Sequence, residues 1–391
     1  MSATPETRPL RVLITNRILT SRTGTEVYVR DLAMGLAARG HRPVVYSPML
    51  GGVAEEIRAA TIPVTSDLAS ISEPPDVIHG HHGLETLAAL LAFPATPAIA
   101  FCHSWIGWPD ALPRFPRVLR YVAVDRTCRD RLSQELGIAP ERIRLVLNAV
   151  DLERFRPRSP LPPRPRRALV FSNAAGARDS HLDAVRGACA AEGIEVEVIG
   201  ASAGRSHERP EEALGRFDLV FAKGKAALEA LATGTAVVLC DMVGAGPMVT
   251  TSNLQDLRPL NFGMRTLRDP VTVEGLRREI ARYDAADAAA VCREIRAGAG
   301  QEGLLDQLCA LYAEVIAEHR GAPAADLDPE LRAASAYLQW LAPRLYERDL
   351  MKGVFRRALR SPVLGRILRF LGGRVAGSHW LPQLLRMRSV D

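Results

Sequence analysis

Lys223-Gly224-Lys225 and Glu229 are the residues of this chain whose types and spacing are best suited to chemistry. Two cations flank a glycine, and a carboxylate follows four residues after Lys225. Phe217–Ala222 before them is an apolar run of strand length. Ala226–Thr233 after them has helix composition, Thr233-Gly234 can stop that helix, and Ala236–Cys240 is a second apolar run. Strand, loop, helix and strand in this order form the unit from which parallel sheets are built. Ligands of such sheets bind where loops leave the carboxyl ends of strands. A helix start carrying Lys223, Gly224 and Lys225 is a seat for a diphosphate. Glu229, one turn into the helix, can accept hydrogen bonds from a ligand's hydroxyls. Groups for a diphosphate beside a group for a diol point to a sugar nucleotide.

The elements that must position these residues repeat along the chain. Arg11–Thr15 reads as a strand, Thr25–Ala38 as a helix and Pro43–Tyr46 as a strand. Further strands are expected at Asp76–His79, Ala98–Cys102, Tyr121–Val124 and Arg144–Leu147. Arg154–Arg167 holds five prolines in fourteen residues, a density that blocks helix and sheet and predicts a stiff linker. A second alternating series follows, with strands at Ala168–Phe171, Glu195–Ile199, Phe217–Ala222 and Ala236–Cys240. The expected fold class is α/β: two Rossmann-like doubly wound domains and a C-terminal helical appendage. The expected boundaries are residues 1–153 for the first domain, 154–167 for the linker, 168–325 for the second domain and 326–391 for a basic amphipathic tail.

Composition narrows the function classes. The 391 residues, 47% hydrophobic, suffice for two buried cores. Six cysteines are scattered without a CxxC pair, a pattern of reduced thiols rather than a disulfide frame or a zinc site. The amino-terminal residues show no signal-peptide pattern, and no apolar run reaches the roughly 18–20 residues that span a bilayer. A cytoplasmic protein is expected. The net charge is +6, but residues 344–391 contain eleven Lys/Arg and three Asp/Glu, which leaves about −2 for the rest. A near-neutral body argues against a nucleic-acid partner.

The ordered motifs resemble those of the GT-B glycosyltransferases, and of glycosyltransferase family 4 in particular. The matching residues are Thr23-Gly24-Thr25-Glu26-Val27-Tyr28-Val29, Asp31-Leu32-Ala33 and Arg39-Gly40-His41, then Asp76–His82 and Phe101-Cys102-His103. Tyr121–Arg131, Leu147-Asn148-Ala149-Val150-Asp151 and Arg154-Phe155 complete the series, so the resemblance runs from Arg11 to about His319. It implies a nucleotide-sugar donor held by the second domain, with Glu229 on the ribose and His103 as a donor-site histidine. The sequence departs from the family in three places. Phe221 stands where the first of two donor-loop glutamates is usual, Arg178 is the only basic residue near the usual Arg…Lys pair, and Asn148-Ala149 replaces Asn-Gly. The Lys223-Gly224…Glu229 loop also resembles that of the inverting MurG-like enzymes.

His103 is the catalytic candidate. Glu229, Lys223, Gly224, Lys225, Gly24 and Thr25 are the candidates for the donor nucleotide and diphosphate. Gly24-Thr25 reads either as a tight turn or as a place of close backbone approach to ligand. His79, His81 and His82 cluster, but Glu85 is the only nearby carboxylate and no Asp-x-Asp motif suited to a metal accompanies them, so no metal is expected. Trp105 and Trp108 are candidates for an acceptor platform. Asp241–Gly263 reads as a long functional loop in which Gly244 and Gly246 admit a ligand and Asn253, Arg258 and Asn261 are candidate contacts. Arg178 and Asn148 complete the set. In the tail, Leu350, Met351, Val354, Phe355, Ala358 and Leu359 form an apolar stripe with arginines off it, and Ser361-Pro362 can start another helix. Such a tail docks on the body, meets a protein partner, or lies on an anionic membrane surface, which would place the protein peripherally at the inner face of the membrane.

The expected function is transfer of a hexosyl or N-acetylhexosaminyl group from a UDP- or GDP-sugar to an acceptor, retaining in stereochemistry and without metal or other cofactor. A sugar-nucleotide epimerase and an inactive nucleotide-binding scaffold are the alternatives.

Overall fold

The computed structural model describes residues 8–20, 22, 24–172, 180–200, 209–322 and 327–360. Arg178 and the helix expected from Ser361-Pro362 lie outside the described residues. The chain divides into two compact units, Met1–Asn148 with Gln301–Trp340, and Ala149–Gly300 with the chain from Leu341.

The first unit runs β1 (Arg11–Thr15), α1 (Gly24–Ala38), β2 (Arg42–Tyr46), α2 (Gly52–Ala59), β3 (Val64–Thr65), β4 (Val77–His81), α3 (Gly83–Ala92), β5 (Ala98–Cys102), β6 (Val118–Ala123), α4 (Arg126–Asp130) and β7 (Ile143–Leu145). The strands form one parallel sheet of order β3-β2-β1-β4-β5-β6-β7. β4 and β5 are buried along their whole length, as helices on both faces of a parallel sheet require.

The second unit runs β8 (Arg167–Phe171), α5 (Ser180–Ala191), β9 (Glu195–Ile199), α6 (Pro210–Leu214), β10 (Leu219–Ala222), α7 (Gly224–Thr233), β11 (Ala236–Asp241), β12 (Gly244–Met248), α8 (Leu254–Leu257), α9 (Val273–Ile280) and α10 (Ala285–Gly298). Its sheet has the order β12-β11-β10-β8-β9, parallel except for the antiparallel edge strand β12. Apolar residues pack on both faces: Leu228, Leu231 and Ile295 belong to one core, and Leu182, Val185 and Leu276 to the other. Both units are Rossmann-like, as the periodicity of the sequence predicts.

Three expectations are corrected. The proline-rich segment is not the connection between the two units. The chain passes between units at Asn148 and Ala149, and residues 154–167 lie on the second unit. Arg154 pairs with Glu211 at 2.7 Å, Arg158 with Asp218 at 3.1 Å, and Tyr283 Oη donates to Pro162 O at 2.9 Å. Second, α11 (Gln301–Gly321) belongs to the first unit rather than the second. Its buried face includes Leu305, Leu308, Leu311 and Tyr312 and packs on α1, β4 and β5. Arg39 pairs with its Glu302 and Asp306, and Arg120 with its Glu314 and Glu318. Third, Asp241–Gly263 is not an open loop. It contains β12 and α8, and a Cβ on Gly246 would meet Thr266 O, so this glycine serves backbone packing within the protein.

α12 (Leu327–Arg360) is one helix with Pro343 inside it. Its first half docks on the first unit, where Arg117 is buried between Glu330 and the carbonyls of Leu90, Phe93 and Thr96. Beyond it, Tyr346, Leu350 and Met351 are exposed. No helix among the described residues is long and apolar enough to cross a membrane.

Candidate functional site

Each sheet reverses its strand order once, between β1 and β4 in the first and between β8 and β10 in the second. Loops leaving the two central strands diverge at such a point and leave a crevice at the carboxyl edge. Some of the candidates of the two halves stand near these two places, and others do not.

In the first unit, β1 leads to Asn16 and Arg17, β4 to His82, and β5 to His103. Thr15 Oγ1 donates to His81 O at 3.1 Å and ties the two central strands together at this end. His82 links β4 to α3 with φ of +62°, a left-handed conformation that is costly for a side chain with Cβ. Alternation along β4 and β5 turns His79, His81, Phe101 and His103 to one face of the sheet. The rings of His79 and Phe101 stack at 4.3 Å, and His81 and His103 lie 4.8 Å apart. Tyr28 of α1 meets His81 and His103 edge-on. His81 Nδ1 and His103 Nε2 share a hydrogen bond of 2.7 Å, and His79 Nδ1 and Tyr312 Oη one of 2.6 Å.

These histidines are neutral at neutral pH. Burial lowers His79 and His81 well below the ordinary histidine value. Burial and Arg17 bring His82 to about 4, and burial and His82 bring His103 to about 3. Among the described residues no group of three or more His, Cys, Asp or Glu is arranged to hold a metal ion.

The loop after His103 is stapled from below. Arg131 donates to the carbonyls of Ser104 and Gly107, and Asp110 Oδ1 accepts from His103 N at 3.4 Å. Burial pushes the Asp110 carboxyl up to about 6, against the pull of that hydrogen bond and of Arg131 and Arg17. Glu85 is also raised by burial. Trp105 is 39% exposed, and the Arg17 guanidinium lies over the Trp108 ring, 5.9 Å from its centre. Asp110 and Arg17 carry no sequence signal beyond their place near strand ends. Gly24 is exposed, has no positive φ, and a Cβ there would touch nothing within 4 Å. Neither a turn nor packing demands glycine at this position. Thr25 is half-buried beside it, and Asn148 is half-buried at the end of the unit. A cavity of about 860 Å³ lies at the opposite, amino ends of β1 and β2, away from all these residues.

In the second unit, β10 leads to Lys223, which stands at the N-cap of α7. The helix takes in Gly224 and Lys225, so the expected loop is shorter than the sequence suggests. Gly224 has φ of +60° and donates its N–H to Phe262 O at 2.8 Å. Its glycine is required by backbone conformation. The accepting turn is itself strained, with Asn261 and Phe262 both at positive φ and Phe262 fully buried. Arg258 Nη1 donates to Asn261 Oδ1 at 2.6 Å and so braces that turn. Burial lowers the Arg258 guanidinium to about 10. Asn253 accepts from Thr250 N and donates to Met248 O, fixing the exit of β12.

The Lys223 ammonium lies 2.7 Å from Asp241, the last residue of β11. Burial alone would raise Asp241, but the hydrogen bond and charge of Lys223 hold it below the usual carboxylate range. Ser172, just after β8, shares a hydrogen bond of 3.2 Å with the same carboxylate. Asp241 is the neighbour of Lys223 that sequence reasoning missed. The parallel register of β10 and β11, Ala222 opposite Leu239, is what brings the two strand ends together. Glu229 is buried on α7, four residues beyond the half-buried Lys225 and therefore on the same helix face.

Residues 22–154 match the family model described as Glycosyltransferase Family 4. Among solved structures the chain is similar to a glycosyltransferase from Rickettsia africae ESF-5, with a TM-score of 0.60 and 13% identity over 79% of this chain and 99% of that one. It is also similar to Anabaena Alr3699/HepE, solved in complex with UDP and glucose (TM-score 0.54, 14% identity, 78% and 100% covered). The catalytic domain of starch synthase IV from Arabidopsis thaliana, bound to ADP and acarbose, is a third (TM-score 0.50, 11% identity, 79% and 100% covered). No curated protein matches the chain in sequence. Two Rossmann-like units in this order define a GT-B fold. Within that class the protein is similar to glycosyltransferase family 4.

Proposed function

We propose that the protein is a glycosyltransferase that moves a hexosyl or N-acetylhexosaminyl group from a UDP- or GDP-sugar to an acceptor. The observation that carries this reading is the Glycosyltransferase Family 4 match over residues 22–154. The similar Anabaena and Arabidopsis proteins were solved with UDP and with ADP, which supports a nucleoside-diphosphate donor. In this reading Glu229 accepts from the ribose hydroxyls, and the start of α7 with Lys225 faces the diphosphate. Lys223, shared with Asp241, adds positive charge nearby. These groups offset the charge that grows on the leaving diphosphate, so no metal is assigned a role. In the first unit the proposed ligand contacts are His103, the Gly24–Thr25 segment and the Trp105–Trp108 loop. The resemblance to family 4 supports retention of configuration.

Incubation with a panel of UDP- and GDP-sugars tests this reading. Release of free nucleoside diphosphate, with the anomeric configuration of the product retained, is the expected result. Conversion of a sugar nucleotide to an epimer without an acceptor would replace transfer by epimerisation. We assign residues 344–391 to an anionic membrane surface at the cytoplasmic face, on the exposed Tyr346, Leu350 and Met351 and the local positive charge. Sedimentation with liposomes containing anionic lipid should lose the protein when these residues are removed. Equal sedimentation of both forms contradicts the assignment.

A further inference from the structure

The hydrogen bond between His81 Nδ1 and His103 Nε2, at 2.7 Å, contains one proton, and its position decides what His103 can do. Both rings are neutral near pH 7, so each has one nitrogen with a proton and one without. Two arrangements are open. In the first, His81 donates from Nδ1, His103 Nε2 is bare, and the proton of His103 is on Nδ1. In the second, His103 donates from Nε2, and the proton of His81 is on its own Nε2.

The surroundings of His81 distinguish them. His81 is fully buried, and its Nε2 has no hydrogen-bond partner among the described residues. The second arrangement therefore buries an N–H with nothing to accept it. The first leaves a bare acceptor in the same place. Orphaned buried N–H groups are rarer in proteins than under-satisfied acceptors. The ring of His81 cannot rotate to escape, because Tyr28, His79 and Phe101 all contact it. His103 is half-buried, and its Nδ1 makes no hydrogen bond with a described residue, so that nitrogen is left for a ligand.

We infer that His81 is a positioning residue that keeps His103 in its Nδ1–H form, so that His103 meets its ligand as a hydrogen-bond donor and not as a base. The ligand atom it faces must then be an acceptor, such as a hydroxyl or phosphoryl oxygen. A proton leaving an acceptor hydroxyl goes elsewhere than to His103. The inference builds on the reading of His103 as a donor-site group, but its test needs no ligand.

The full chain, labelled with ¹⁵N at histidine, is examined at pH 7 by long-range proton–nitrogen correlation. The His103 pattern is identified by its loss in His103→Gln. The expected result is a protonated-type Nδ1 and a bare-type Nε2. A protonated Nε2 on His103 overturns the inference, whatever the protein binds. In His81→Asn the side-chain amide can still donate from the Nδ1 position, and the Nδ1–H pattern of His103 should persist. In His81→Leu it should be lost, and its persistence there would show that His81 does not set it. If His81→Leu does not fold, the wild-type and His81→Asn spectra still decide. Should the pattern hold while no sugar nucleotide binds, the functional reading fails and the tautomer assignment stands.

Discussion

At the carboxyl edge of the first sheet the buried cluster is one of uncharged rings: His79, His81, His82 and His103 are held neutral by burial, and the charges of Arg17 and Arg131 stand in the segments beside it. At the same edge of the second sheet the polar groups are ions, with Lys223 set against Asp241 and Glu229 buried on the helix that follows. The two units share one topology at these edges yet solve the desolvation problem in opposite ways. One avoids charge, and the other compensates it. In the proposed function this division has a use, since a diphosphate needs charge opposite it while a sugar hydroxyl needs only a directed hydrogen bond.

Removing one member of the compensated pair should have the largest effect. Lys223→Met leaves the buried Asp241 carboxylate without its cation, and a loss of about 2–3 kcal/mol is expected in urea denaturation. A loss within error of zero would mean that the pair is as weak as an exposed one.

Acid should separate the two edges next. Unfolded histidines take up protons near pH 6.5, whereas folded His82 and His103 do so only near 4 and 3. Their contribution to stability is complete above about pH 6.5 and is lost as the pH falls toward 4 and 3. Asp110 and Glu85 act in the opposite sense, because their raised values favour the folded state on acidification. Four lowered histidines against two raised carboxyls leave a net loss. The lowered Asp241 contributes above its ordinary value near 4 and loses that contribution only below it. Between pH 7 and 4.5, the protection of amides from hydrogen exchange, taken relative to the intrinsic rate at each pH, should therefore fall in β4 and β5 before β10 and β11. The reverse order would break the contrast.

The smallest effect concerns the two candidate glycines. Gly224→Ala forces a side chain into positive φ and should cost about 1–2 kcal/mol. Gly24→Ala meets open space at an ordinary φ and should leave the melting temperature unchanged. If it also leaves transfer activity unchanged, the Gly24–Thr25 segment does not approach ligand.

The strands with dense apolar runs were legible in the sequence because parallel sheets bury both faces, and β1 and β5 fall where the pattern places them. β12 was not, since GAGPM lacks every strand-favouring residue, and at Gly246 the chain passes too close to Thr266 for a side chain. The placement of α11 was not legible either. Its apolar stripe is compatible with either unit, and contacts such as His79 with Tyr312, 233 residues apart, decide. For the site, period-two spacing already puts His79 with His81 and Phe101 with His103. What the sequence lacks is the register, His81 opposite Phe101, that makes two histidines from different strands share a proton. The same kind of register information hid Asp241 from Lys223.

The most direct test of the account is calorimetric titration of UDP and GDP into the wild-type chain and into Glu229→Ala. The account predicts that the wild type binds at least one of them and that the variant weakens that binding about 10–100-fold, the worth of a hydrogen bond to a charged group. Binding of neither nucleotide by the wild type, or equal affinity in Glu229→Ala, would contradict it.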